Sequence, residues 1–220
     1  MASRPYPDRT AAGELLAAEV VAALAAAAVD HDRDLGQPMV LALPRGGVPV
    51  AVPVARALGV PTSVLVVRKL GAPGQPELAV GAIAAISDRV EQVLNTGWAN
   101  QLGLSDRALA RVVASETEAL RARVAVFGST PSVDDRMVVL IDDGLATGAT
   151  MRAAVTAVRG AGARVVVAAA PVGAVGACHE LERLADHVIC PRRPDPFRAV
   201  GEHYRNFAQL DDAEVLALLA

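Results

Sequence analysis

Two adjacent carboxylates, Asp142 and Asp143, follow a run of four aliphatic residues, Val138 to Ile141. Beyond them Gly144-Leu145-Ala146-Thr147-Gly148-Ala149-Thr150 leads into a helical pattern that reaches Val158. The aliphatic run reads as a buried strand. Carboxylates at its C-terminal end can accept hydrogen bonds from the vicinal hydroxyls of a sugar. Loop N–H groups, the Thr147 and Thr150 hydroxyls and the positive end of the following helix can hold a phosphate dianion. One segment therefore suits both ends of a ribose phosphate. The acid pair alone would serve equally well to cap a loop or a helix. The loop is not a Walker A motif, because no Gly-Lys-Ser/Thr follows, and it lacks the Gly-x-Gly-x-x-Gly of a dinucleotide site.

Three further stretches carry chemistry-bearing residues. Leu43-Pro44-Arg45-Gly46-Gly47-Val48 joins a short apolar run to a helical one. Its glycines allow positive φ and a close approach of backbone N–H groups to an anion, although a plain strand-to-helix turn would look similar. Arg68 and Lys69 end a second apolar run, Thr62–Val67, and place two cations at the same rim. Lys69 is the one lysine among 21 basic residues. The next residues, Leu70–Leu78, contain two glycines, two prolines and the acid Glu77, which reads as a loop. Finally, the chain has three Phe, two Tyr and one Trp, and Phe197, Tyr204 and Phe207 fall close together near its end. Such a cluster suits either a flat ligand or a small satellite core.

The elements that must position these residues alternate. Helical patterns cover Ala11–Val29, Val48–Leu58, Ser105–Val126 (with Ser105 as N-cap), Thr150–Val158, Ala174–Leu184 and Asp211–Leu219. Strand patterns cover Met39–Leu43, Thr62–Val67, a hairpin of Ala79–Ile86 with Arg89–Leu94, then Val138–Ile141, Arg164–Ala170 and His187–Cys190. The expectation is an α/β fold, a mainly parallel sheet with helices on both faces, plus a small C-terminal hood. Ligands in such sheets bind beyond the C-terminal strand ends, where the unusual loops lie. Residues 1–190 are expected to form the core, and residues 191–220 an irregular tail with a closing helix.

Composition narrows the function classes. The chain has 220 residues, 53% of them hydrophobic and 20% charged, which suits one globular domain with a proper core. A net charge of −3 without a basic run argues against a nucleic-acid groove binder. Cys178 and Cys190 are too few for a disulfide scaffold and fit reduced thiols in the cytoplasm. The polar start, Met1–Thr10, does not read as a signal peptide, and Leu15–Val29 is too short and too interrupted by Glu19 to span a membrane. The four histidines show no metal spacing.

At Val138–Thr150 the sequence resembles the signature of the type I phosphoribosyltransferases, which bind 5-phosphoribosyl-1-diphosphate (PRPP). It is most similar to members whose acceptor base is unassigned, which share the Arg68-Lys69-Leu70-Gly71-Ala72-Pro73 stretch and the hood. The likeness spans roughly Met39–Cys190 and is weaker beyond. It implies a phosphoribosyltransferase acting in the cytoplasm on PRPP and a small nitrogenous base. By the same resemblance Asp142 and Asp143 contact the ribose and orient Mg²⁺ through water, while Ala146, Thr147, Gly148, Ala149 and Thr150 wrap the 5-phosphate. Arg45, Gly46 and Gly47 fall at the family's diphosphate loop, which often has a strained or cis peptide beside the glycine. Arg68 and Lys69 would neutralise the leaving diphosphate, residues at about 69–95 would form the mobile loop of related enzymes, and Phe197 in a hood of residues 191–220 would stack on the base. Relatives often dimerise, and an exposed Ala/Val-rich face would permit it. Gly144 departs from the pattern, since most members carry an aliphatic residue there. A PRPP- or nucleotide-sensing regulator and a PRPP or nucleotide hydrolase stay open as alternatives.

Overall fold

A computed structural model describes residues 4–31, 36–73, 75–94 and 105–220. Helix α1 (Arg9–His31) precedes β1 (Met39–Ala42), α2 (Gly47–Leu58) and β2 (Thr62–Val64). Three strands follow, β3 (Val67–Ala72), β4 (Gln75–Ile86) and β5 (Arg89–Leu94), and then α3 (Asp106–Phe127). The chain continues through β6 (Met137–Ile141), α4 (Ala149–Gly160), β7 (Val165–Ala169), α5 (Val175–Leu181) and β8 (His187–Ile189). A short 3₁₀ turn (Val200–His203) and α6 (Asp212–Leu219) close it.

β6 sits at the centre of a five-stranded parallel sheet of order β2-β1-β6-β7-β8. Strand alternation divides its side chains between two cores. Val139 and Ile141 join Leu16, Val20, Val48 and Leu120 on one face, and Val138 and Leu140 join Met151, Val155 and Leu181 on the other. Both faces are thus covered by helices, as an all-parallel sheet requires. Among the described residues no helix is long and apolar enough to cross a membrane.

Helix caps match local signals. The Ser105 hydroxyl accepts from the Ala108 N–H at the start of α3. Asp211 and Glu214 form a reciprocal capping box on α6.

The stretch after β2 differs from expectation. The run Thr62–Val67 does not continue as one strand: β2 ends at Val64, and Val67 opens a separate antiparallel sheet, β3-β4-β5. Arg68 and Lys69 therefore lie inside β3 and do not end a strand. The expected loop Leu70–Leu78, and with it most of the segment 69–95, is strand; Gly74 and Asn95 and the side chain of Glu77 lie outside the described residues. The physical reason is long-range pairing. β4 bonds to β3 on one side and β5 on the other, and its Val80, Ala82, Ile83 and Ala84 are buried. Register shifts at Leu70/Gly71 and Gly71/Ala72 absorb the irregular glycine and proline positions.

Candidate functional site

The loop after β6 is built outward from the sheet. The Asp142 N–H still donates to Ala169 O of β7 at 3.2 Å, so the first acid leaves from a bonded strand end. Asp142 turns its carboxylate onto the Asp143 N–H (2.9 Å). Asp143 in turn accepts from Arg9 Nε of α1 at 2.7 Å, with the two side chains 15% and 11% exposed. Burial pushes both carboxyls above the usual carboxylate range. The neighbouring Asp143 charge adds to the rise at Asp142, whereas the Arg9 guanidinium opposes it at Asp143.

Past the acids, Leu145 is buried and pairs with Gly173 beyond β7, which fixes the loop's middle. Ala146 and Thr147 are exposed, and Gly148 adopts a left-handed conformation (φ 69°) that starts α4 without a side-chain cap. The Thr147 hydroxyl accepts from the Ala149 N–H at 3.3 Å, so this helix start lies beside the exposed Thr147 and Thr150. Arg152 braces the loop from below, donating to Thr147 O (2.6 Å) and pairing with Glu180 (2.6 Å).

The segment Pro44–Gly47 stands against the acids. Its Pro44–Arg45 peptide is cis, as the resemblance implied. The sequence suggested that the two glycines allow positive φ, but neither Gly46 nor Gly47 adopts it. Close approach is what requires them: a Cβ on Gly46 would collide with the Asp143 carboxylate, and one on Gly47 with Ile141 O. Arg45 turns toward the far end of the chain, with Nη1 3.9 Å from Asp212, which also binds Arg123 at 3.0 Å.

A cleft of about 750 Å³ opens beside the loop. Arg68 and Lys69 of β3 form one wall, Thr147, Ala149 and Thr150 another, and Arg111, Ser115 and Glu116 of α3 a third. Arg68 Nε lies 2.7 Å from Glu116. The structure thus gathers Arg68 and Lys69 with the phosphate-type loop, and Gly46 and Gly47 with the acid strand. Sequence reasoning missed the α3 wall. The i, i+4 pair Arg111 and Ser115 carried the only local signal, and on a charged helix it reads as a solvated face.

The C-terminal aromatics are engaged with one another. Phe197 stacks on His203 (5.2 Å between centroids) and packs on a satellite core that includes Tyr6, Tyr204 and Val172. Tyr204 donates its hydroxyl to Asp143 O at 2.6 Å, and Val200 fills the space where a Cβ on Gly144 would lie. This accounts for the glycine at position 144. An aliphatic side chain there would meet Val200 Cγ1 at 2.5 Å. Both cysteines are buried free thiols, and among the described residues no group of three or more His, Cys, Asp or Glu could hold a metal.

Comparison with known proteins gives consistent matches. The model of the phosphoribosyl transferase domain family matches residues 12–204. Two curated relatives from Mycobacterium tuberculosis (strains CDC 1551 / Oshkosh and ATCC 25618 / H37Rv) are each named as a phosphoribosyl transferase with a provisional qualifier. Each is 42% identical over 217 residues, covering 97% of this chain and 46% of the relative. The chain spans about half the length of the curated relatives it matches. The crystal structure of TT1426 from Thermus thermophilus superimposes with a TM-score of 0.82 at 40% identity, covering 99% of this chain and 98% of that one.

Proposed function

Given that this chain belongs to the phosphoribosyl transferase domain family, we propose that it transfers the 5-phosphoribosyl group of PRPP to a ring nitrogen of a small base and releases diphosphate. One observation carries the reading. The β6–α4 connection presents an acid pair at its start and a helix N-terminus with a glycine N-cap at its end, beside a cleft walled by Arg68, Lys69 and Arg111.

In this reading Asp142 and Asp143 hold the ribose hydroxyls. Ala146, Thr147, Gly148, Ala149 and Thr150 hold the 5-phosphate, and Arg45, Gly46 and Gly47 the diphosphate. Arg68 and Lys69 share the cleft with Thr147 and Thr150, which supports a part in neutralising phosphate charge at that end. The transition state of such a displacement has oxocarbenium character. The protein then contributes orientation, electrostatic stabilisation and exclusion of water, and needs no covalent nucleophile.

The acid pair suits Mg²⁺ by donor chemistry, since carboxylates are hard oxygen donors and magnesium retains several waters. Asp142 and Asp143 would hold the ion through water. When bound, it supplies charge neutralisation at the diphosphate. Phe197 is the candidate base contact; one face of its ring is stacked on His203. A cytoplasmic location and a homodimer belong to the same proposal.

The test is Mg²⁺- and PRPP-dependent diphosphate release against a panel of purines, pyrimidines and pyridines. Base-dependent release supports the transferase. Release without a base would replace it with a hydrolase, and tight PRPP binding without release with a sensor. Asp142→Asn combined with Asp143→Asn is expected to abolish PRPP binding; unchanged affinity would refute the role of the acids.

A further inference from the structure

Arg9 is the first residue of α1, and its guanidinium is held on three sides. Nε donates to Asp143 Oδ2 at 2.7 Å, Nη1 donates to Ala208 O at 2.9 Å, and the guanidinium carbon lies 3.8 Å above the centre of the Phe207 ring. The Asp143 carboxylate that it grips is also the group against which Gly46 is packed, its Oδ2 foremost. An exposed ion pair wanders among rotamers and fixes little. Here both side chains are nearly buried, and a planar guanidinium clamped by a ring and a carbonyl has one orientation to offer.

We propose that Arg9 is a positioning residue for the donor site: it holds the Asp143 carboxylate against the Gly46 loop and so fixes the sugar grip and the diphosphate grip relative to each other. One oxygen of Asp143 is committed to Arg9, which sets the direction in which the carboxylate faces. Without Arg9 the carboxylate can rotate, and Gly46 loses the wall it packs on. This assignment rests on the PRPP reading of Asp143 and adds a residue from α1, outside the strand and loops that carry that reading.

A useful control lies in the same junction. Arg192 also ties the N-terminal segment to the C-terminal one, donating to Arg4 O at 2.8 Å and stacking 3.5 Å above Tyr6, but it does so away from the acids. A purely structural role for Arg9 predicts that both arginines matter alike to ligand affinity. A positioning role predicts that only Arg9 does.

The experiment is calorimetric titration of the full chain with PRPP and Mg²⁺, beside ligand-free melting curves. Arg9→Ala is expected to weaken PRPP binding about tenfold or more. Arg9→Lys keeps the charge without the planar fork and should restore only a small part of that loss, and Arg192→Ala should leave affinity within about twofold even where its Tm falls. Should Arg9→Ala not fold, Arg9→Gln keeps the reach without the charge and has the same expected loss. Unchanged affinity in the folded Arg9 variant, or equal losses in the Arg9 and Arg192 variants, would overturn the assignment and leave the donor reading standing. A wild-type chain that does not bind PRPP would overturn the donor reading, and this assignment with it.

Discussion

Val200 occupies the space that a side chain at position 144 would need. Its Cγ1 lies 2.5 Å from where a Gly144 Cβ would stand, so the turn after the acids and the C-terminal segment are in direct contact. Gly144→Val should therefore cost about 1–3 kcal/mol, the usual range for overpacking a filled site. Val200→Ala in the same chain should recover a large part of it, and urea unfolding of the two single variants and the double variant measures the coupling. Additive effects would show that the two residues do not compete for that space.

The raised pKa of Asp142, caused by burial and then by the Asp143 charge, bears on stability. A folded-state pKa above the unfolded one means that the native state holds the proton more tightly. Stability is then greatest below the unfolded carboxylate range, about pH 4, and is lost as pH rises toward the folded value. Asp142→Asn removes that loss. The ligand-free variant should melt higher than wild type at neutral pH, and the difference should vanish in acid. For a chain of this length a gain of about 1 kcal/mol would appear as roughly 2–4 °C. A lower neutral Tm would mean that the acid contributes more to the fold than its burial costs.

In the cleft, Glu116 takes up one of the cations. Arg68 Nε is 2.7 Å from its carboxylate, with the side chains 43% and 27% exposed, so the pair adds little to stability. Its effect should be on the ligand instead. Arg68→Ala is expected to weaken PRPP binding about tenfold, the worth of one charge-assisted hydrogen bond. Glu116→Gln should tighten it by about twofold to fivefold, with the gain shrinking as salt is added. Opposite signs in equilibrium titrations at two salt concentrations check this; losses of equal size would place Glu116 among the ligand contacts.

The parts of the site that were legible in the sequence are those that adjacent residues determine. Four aliphatic residues followed by two acids specify a strand end, and Gly148 with Thr150 marks the start of a helix, all within thirteen positions. Ser105 announced its helix for the same reason, because a cap acts within one turn. What escaped depends on partners far along the chain. Arg9 meets Asp143 across 134 residues, and nothing near Arg9 signals it. The segment after Val64 looked like a strand running into a loop, because its glycines and prolines are local whereas the pairing that makes it a sheet comes from β4 and β5. Phe197 stood out only because aromatics are scarce. Its neighbours His203, Tyr6 and Tyr204 supply the satellite core that the composition left as an equal alternative.

The central strand β6 is bonded on both sides and wedged between two separate hydrophobic bodies, whereas Phe197, Val200, Tyr204 and Phe207 belong to a smaller cluster with Tyr6, Ala12 and Val172. Shape changes in that cluster need not propagate into the sheet. Drift in the tail is free only where its residues do not brace the acids, since Tyr204 holds Asp143 O while Phe207 and Ala208 hold Arg9. The contact between Val200 and Gly144 adds a further constraint of the same kind.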